Sequence, residues 1–216
     1  MAWPKALTLL EAGAAKVLAQ SLAVNNSYFL MRHGESEANR AGLIISDPAT
    51  GCRRYGLTEL GREQAAASSR QSELGPHTLV ICSDFLRAKE TAEVAAQTLG
   101  ASVLRTEVGL RERFFGELEG QSGERYKEVW RQDSLNPDNT IYNCEAPAHL
   151  AGRLGATMAR LEEEFSARTI LLVSHGDTLR FLQLAMARRP LTEHMEVALF
   201  KPAEIRALES LPPARD

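Results

Sequence analysis

Short apolar runs of strand length alternate with segments of helical period along most of this chain. Tyr28-Phe29-Leu30-Met31 predicts a first strand that leads straight into Arg32-His33-Gly34-Glu35-Ser36. The polar, glycine-containing stretch 40–56 is too irregular for an element. Thr58 then has the chemistry of an N-cap for a helix reaching to about Leu74. The run 78–82 predicts a second strand, ending at Ser83-Asp84. From Phe85 onward, Ala88, Ala92, Ala95, Ala96 and Leu99 mark one face of a helix, with Gly100 as its stop. A short strand is expected over 103–106. The stretch 107–143 reads as loop-rich, with one helical piece near 124–131. After Pro147, the residues Leu150, Leu154, Met158, Leu161 and Phe165 recur at helical spacing, a strong amphipathic signal. The run 169–174 reads as the most deeply buried strand, with His175-Gly176-Asp177 at its end. A further helix over 178–188 and a last strand over 195–200 complete the pattern.

Continuous apolar strands alternating with helices predict an α/β fold, with a mainly parallel sheet covered on both faces. In such sheets the ligand crevice lies beyond the carboxyl ends of the strands. Arg32-His33, Ser83-Asp84 with Arg87, and Ser174-His175-Gly176 each follow a predicted strand, so the three clusters predict one site. Nothing in 28–216 reads as a linker, and this stretch is expected to form a single domain. Before it, 1–27 carries apolar residues at helical spacing from Leu7 to Leu22, interrupted by Lys5, Glu11 and Lys16. This predicts an amphipathic helical extension packed on the domain, with an interface or partner-docking helix as the alternative, and neither a signal peptide nor a membrane span; a homo-oligomer is left open.

Composition narrows the picture. Hydrophobic residues make up 44% and charged residues 25% of the 216 positions, ordinary globular usage. A net charge of -3 gives no general attraction to nucleic acid or to an anionic membrane, so any affinity for phosphate must be local. Cys52, Cys82 and Cys144 are odd in number and widely spaced, which suits a reducing cytoplasm better than a disulfide framework. Cys82 is expected to be a small core residue.

Two imidazoles and two guanidiniums facing one pocket favour phosphate as the ligand. Guanidinium grips phosphate oxygens in a planar fork, and the helix start after Ser83 would add N–H donors. A glycine after each His would let a ligand approach the backbone. Two His without a carboxylate cluster make a poor metal set, and no G-x-S-x-G elbow supports a serine hydrolase. A histidine nucleophile attacking phosphorus remains.

Arg32-His33-Gly34-Glu35-Ser36 with Asn39 resembles the signature of the histidine phosphatase superfamily, phosphoglycerate mutase-like branch. Gly56-Leu57-Thr58-Glu59-Leu60-Gly61, Ser83-Asp84-Phe85-Leu86-Arg87-Ala88 with Thr91-Ala92, Leu110-Arg111-Glu112 through Gly116 with Glu119-Gly120, and Leu172-Val173-Ser174-His175-Gly176 resemble the family's later blocks, in family order. The resemblance implies a three-layer α/β/α sandwich. It implies His33 as the nucleophile that becomes phosphohistidine, and Glu112 as general acid and then base, with Glu117 as a nearby competitor. His175 would be a donor to the transition state, and Arg32, Arg87 and Asn39 would be phosphate-binding groups. No metal or other cofactor is implied, and the partner would be a small phosphorylated substrate.

The resemblance extends to both phosphatases and cofactor-dependent mutases. At the two positions where those mutases carry a tyrosine and a lysine for the substrate carboxylate, this chain has Phe115 and Gly123. The stretch 120–145 is also short for the mutases' arginine-bearing insertion. A metabolite phosphatase is the favoured reading, with a mutase or a catalytically weak binding member as alternatives. Arg111, Arg113, Arg125, Lys127 and Arg131 are expected to make the pocket roof basic, suiting a second anionic group, while Phe114, Phe115, Tyr126, Trp130 and Tyr142 make it aromatic. Arg53 and Arg54 are expected at the pocket mouth. Glu145 and Arg153 loosely resemble a further family block, with capping and pocket roles equally open. His77, His149 and His194 are read as surface or hydrogen-bonded side chains.

Overall fold

The computed structural model describes residues 24–101 and 103–208. The helical extension expected over 1–27 therefore falls outside the described residues, except for 24–27. Strand β1 (Ser27–Arg32) is followed by two short helices, α1 (Glu37–Ala41) and α2 (Pro48–Gly51), inside the stretch expected to be irregular. Ser36 caps α1 in a reciprocal box with Asn39, and Asp47 caps α2, so these turns rest on local capping without an apolar period. Helix α3 (Glu59–Gln71) starts where expected, with Thr58 Oγ1 accepting from Gly61 N–H at 3.0 Å. Strand β2 (Leu79–Cys82), helix α4 (Leu86–Leu99) closed by a left-handed Gly100, and strand β3 (Val103–Thr106) follow the predicted pattern.

Several 3-10 turns then lead through helix α5 (Tyr126–Asp133) to the long helix α6 (Pro147–Glu164). Strand β4 (Thr169–Ser174), helix α7 (Gly176–Ala187) and strand β5 (Ile205–Ala207) complete the described fold. The sheet order is β3-β2-β4-β1-β5, parallel except for the β1–β5 pair. Alternate residues of each strand serve opposite faces. Leu30, Ile81, Ile170 and Leu172 pack under α6 and α7, while Met31, Val80, Cys82, Leu171 and Val173 pack under α3 and α4. The result is the predicted three-layer α/β/α sandwich, with Cys82 fully buried as a core residue.

One expected strand is absent. Over 195–200 the chain leaves a 3-10 segment (Leu191–Glu196) and continues irregularly. His194, Val197 and Phe200 are buried at a spacing of three, while Met195 and Leu199 are exposed. A short apolar run does not reveal which period it obeys, and here the core takes every third residue. No described helix is long and apolar enough to cross a membrane.

Candidate active site

Three neighbouring parallel strands end at one edge of the sheet, and each delivers a polar group there. Arg32 pairs in register with Ser174, and the backbone N–H of His33 donates to Ser174 O at 2.9 Å. The N–H of Ser83 donates to Val173 O at 2.9 Å, so the β2 terminus is locked to β4 in the same way. His175 is the N-cap of α7, and Arg87 lies in the first turn of α4. A cavity of about 270 Å³ opens at this edge, and Arg32, His33, Asn39, Arg87, Glu112 and Gly176 are among its lining residues.

Of the glycines after the two histidines, Gly34 serves packing, while Gly176 lines the cavity. A Cβ on Gly34 would lie 2.3 Å from Gly61 O, so close contact between this loop and the start of α3 requires glycine there. A Cβ on Gly176 would lie 3.4 Å from Arg32 Nε. The starts of α1, α5 and α7 line the cavity, while α4 contributes only its Arg87.

His33 is buried, and its Nδ1 lies 2.8 Å from Gly34 O. A carbonyl only accepts, so Nδ1 carries the proton and Nε2 keeps its lone pair. Arg87 Nε donates to that Nε2 at 3.1 Å. Burial, then the nearby Arg87 and Arg32 cations, hold the imidazole well below its ordinary titration range, which keeps it neutral near pH 7. His175 sits with its ring centroid 5.2 Å from that of His33, and its Nε2 lies 3.0 Å from Ser83 Oγ. Ser83 Oγ accepts from Phe85 N–H at 3.3 Å, and with its own hydrogen assigned to His175 Nε2 the ring proton is placed on Nδ1. Burial, reinforced by Arg87, keeps this second imidazole neutral as well.

Three buried nitrogens around His33 have no hydrogen-bond partner among the described residues: Arg32 Nε, Arg87 Nη1 and His175 Nδ1. Arg32 comes from the end of β1, Arg87 from the helix after β2 and His175 from the end of β4. Unpaired buried donors are costly, and clustered ones of one polarity mark a place for an anion. The two guanidiniums are held from outside the site. Arg32 Nη1 donates to Phe200 O at 2.8 Å, and Arg87 Nη2 donates to Ile45 O at 3.0 Å. Glu119 in turn fixes the Ile45 loop by accepting from the Ser46 and Asp47 backbone N–H groups.

Glu112 faces this cluster. Its Oε1 accepts from Arg113 N–H at 3.0 Å and from Thr178 Oγ1 at 3.1 Å, which leaves Oε2 as the oxygen that can carry a proton. Oε2 lies 3.9 Å from both Arg87 Nη2 and His175 Nδ1. Burial outweighs the pull of Arg87 and raises this carboxyl above its ordinary range. Glu117, its rival in the sequence, is exposed and hydrogen-bonded to Asn143. The Glu112 loop is braced from behind by Arg153, which donates to Gly109 O, Arg111 O and Glu112 O and forms a two-nitrogen pair with Glu145. Neither Glu145 nor Arg153 lines the cavity; both act through the loop.

Asn39 lines the cavity, but its Oδ1 is engaged in the Ser36 capping box, so only its amide nitrogen can face a ligand. The expected basic roof is not present. Arg111 is bound by Asp84 at 2.8 and 2.6 Å. Arg113 is fully buried against Asp133, and Arg125 pairs with Glu128. Arg53, Arg54, Lys127 and Arg131 are exposed and do not line the cavity. Sequence reasoning also missed Asp177, whose Oδ2 accepts from Trp130 Nε1 at 3.1 Å and which lines the cavity beside Gly176. Its only signal was its place directly after His175-Gly176. His194, read as surface or hydrogen-bonded, is instead fully buried, with no partner for either ring nitrogen among the described residues.

A sequence profile of the histidine phosphatase superfamily (branch 1) matches residues 28–212. The chain belongs to this superfamily. Among its relatives, a 2,3-bisphosphoglycerate-dependent phosphoglycerate mutase of Chelativorans sp. (strain BNC1) is 29% identical over 177 residues, covering 76% of this chain and 82% of the relative. A protein named "Probable phosphoglycerate mutase GpmB" from Photorhabdus laumondii is 33% identical over 156 residues, 70% of each chain. Among solved structures, the alpha-ribazole phosphatase of Shigella flexneri superimposes with a TM-score of 0.67 at 26% identity, covering 84% of this chain and 89% of that one. Membership of an enzymatic superfamily and the phosphoglycerate mutase-like fold are thus established, while relatives of both activities surround the chain.

Proposed function

We propose that this superfamily member is a phosphatase that hydrolyses a small phosphorylated metabolite through a phosphohistidine. The reading rests on the convergence of Arg32 Nε, Arg87 Nη1 and His175 Nδ1, all buried and without a partner among the described residues, around His33, whose Nε2 keeps an unprotonated lone pair that accepts only from Arg87 Nε until a phosphoryl group takes it. The phosphoryl group sits among these donors, and Nε2 forms the P–N bond as the ester P–O bond breaks. Glu112 Oε2 gives its proton to the departing alkoxide, a role suited to a carboxyl that burial raises above its ordinary range. Glu112, now a carboxylate, takes a proton from water, whose oxygen displaces phosphate from His33 and restores the free enzyme. Arg32, Arg87 and His175 spread the charge that metal ions carry in many phosphoryl transfers, so the reaction proceeds without a metal. Asn39 adds an amide donor at the rim.

Hydrolysis is favoured over mutase chemistry because a mutase must also hold a second acidic group. At the position where the resembling mutases carry a lysine, Gly123 lines the cavity and offers no side chain. Three free cysteines fit a cytoplasmic setting. The test is turnover of p-nitrophenyl phosphate in EDTA by the wild type and by His33→Ala. Activity that survives chelation and vanishes in the variant supports the reading. Equal activity in the two proteins, or conversion of 3-phosphoglycerate to its 2-isomer in place of phosphate release, sinks it.

A further inference from the structure

Beyond the phosphoryl subsite, the cavity changes character. Every cation in its lining (Arg32 and Arg87) sits at the phosphate end, and the two acidic residues in the lining are Glu112 and Asp177. The rest of the wall that faces a leaving group is built from Leu43, Tyr126, Trp130 and Leu199, with Gly42 and Gly123 between them. Of the cations that the sequence offers for this region, Arg111 is taken by Asp84, Arg113 by Asp133 and Arg125 by Glu128, while Lys127 and Arg131 are exposed outside the lining.

The aromatic part of this wall is set before any ligand arrives. Trp130 is pinned by its Nε1–H to Asp177 and lies parallel to Tyr126, with ring centroids 5.4 Å apart and 8° between planes. Tyr126 meets the buried Phe115 edge-on at 4.7 Å, and the Arg180 guanidinium lies 5.2 Å from the Trp130 ring centroid. Such a wall gains affinity from apolar contact without first paying to order its side chains. A second anionic group on the substrate would meet no cation in the lining beyond Arg32 and Arg87, and would approach Asp177.

We infer that the substrate is a phosphomonoester of a small uncharged alcohol with an apolar or aromatic body, held by the Leu43–Tyr126–Trp130–Leu199 wall. This rests on the hydrolase reading above and narrows its substrate class. A cavity of about 270 Å³ lies near the lower end of small-molecule sites, roughly 300–1,000 Å³. It therefore suits a compact leaving group.

The test compares 2-phenylethyl phosphate with 3-phosphoglycerate. Both are primary alkyl esters, so leaving-group lability does not bias the result. Binding is measured by calorimetry to His33→Ala and turnover by kcat/KM of the wild type. The expected result is a preference for 2-phenylethyl phosphate of roughly tenfold or more in both. Leu199→Lys, at an exposed position that tolerates charge, should move the preference toward 3-phosphoglycerate. Equal or better binding of 3-phosphoglycerate, or no shift in Leu199→Lys, overturns the assignment. If the wild type hydrolyses neither ester but His33→Ala still prefers 2-phenylethyl phosphate, the hydrolase reading fails and the assignment of the wall stands. If the wild type hydrolyses 3-phosphoglycerate preferentially, the hydrolase reading stands and the assignment falls.

Discussion

Replacing His194 by leucine should stabilise this protein, and more so in mild acid. The ring is fully buried on the α7 side of the sheet and stacks on Phe181 at 5.1 Å and 18°, with neither nitrogen hydrogen-bonded among the described residues. Each unsatisfied buried polar atom costs about 1–3 kcal/mol. Leucine removes both, and loses an aromatic contact of about 0.5–1.5 kcal/mol and about 1 kcal/mol of shape fit. The net gain near pH 7.5 is therefore about 2 kcal/mol. Burial holds the His194 imidazole below its ordinary range, with Arg180 and Arg113 pulling the same way against Asp177 and Asp133. The unfolded chain takes up a proton at this residue as pH falls through about 6.5, while the folded protein resists it, so the wild type loses stability on acidification. Between about pH 7.5 and 5.5 this residue's share reaches up to about 1.4 kcal/mol, and leucine abolishes it. Urea unfolding of both proteins at the two pH values measures the gain and its growth. A variant less stable than the wild type at the higher pH, with a gap that does not change at the lower, would refute the reasoning.

Glu112→Gln should lower kcat/KM for 2-phenylethyl phosphate by about 10²–10⁴-fold and for p-nitrophenyl phosphate far less, because kcat/KM reports formation of the phosphohistidine and nitrophenolate leaves without a proton; equal losses in kcat/KM would argue against a general acid. The kcat/KM profile of the wild type should stay high well below the ordinary imidazole range, since His33 remains neutral there, and should fall on the alkaline side as Glu112 loses its proton. That alkaline limb should disappear in Glu112→Gln. Arg153→Met should cost about 3 kcal/mol in urea unfolding, because Glu145, held down at about 2 largely by Arg153 and His149 against its burial, loses its guanidinium partner. The same variant should lower kcat more than it changes KM, since the Glu112 loop is released while the phosphate donors stay in place.

The sheet and its main helices were legible because their signals are local. Leu150, Leu154, Met158 and Leu161 declare a helix face within a few turns, and Thr58 and Gly100 mark ends by their own chemistry. Arg32, His33, Arg87, Glu112 and His175 were legible because each stands in a motif block or directly follows a strand. Charge was not legible in the same way. Arg111 and Arg113 read as free cations until Asp84, 27 residues away, and Asp133, 20 residues away, are found against them. Arg153 and Glu145 leave capping and pocket roles equally open until Arg153 is seen holding the carbonyls of the Glu112 loop. The 195–200 segment misled because a run of six apolar and polar residues fits a period of two as readily as the period of three that the core imposes.

The central claim concerns one bond, between phosphorus and His33 Nε2. Rapid acid-free quenching of the wild type during turnover of p-nitrophenyl phosphate, followed by peptide mass spectrometry, tests it directly. The account predicts an acid-labile phosphoryl group on the peptide carrying His33, absent from His33→Ala. A wild type that turns over substrate with no phosphoryl group on that peptide, or with the label on another residue, would contradict it.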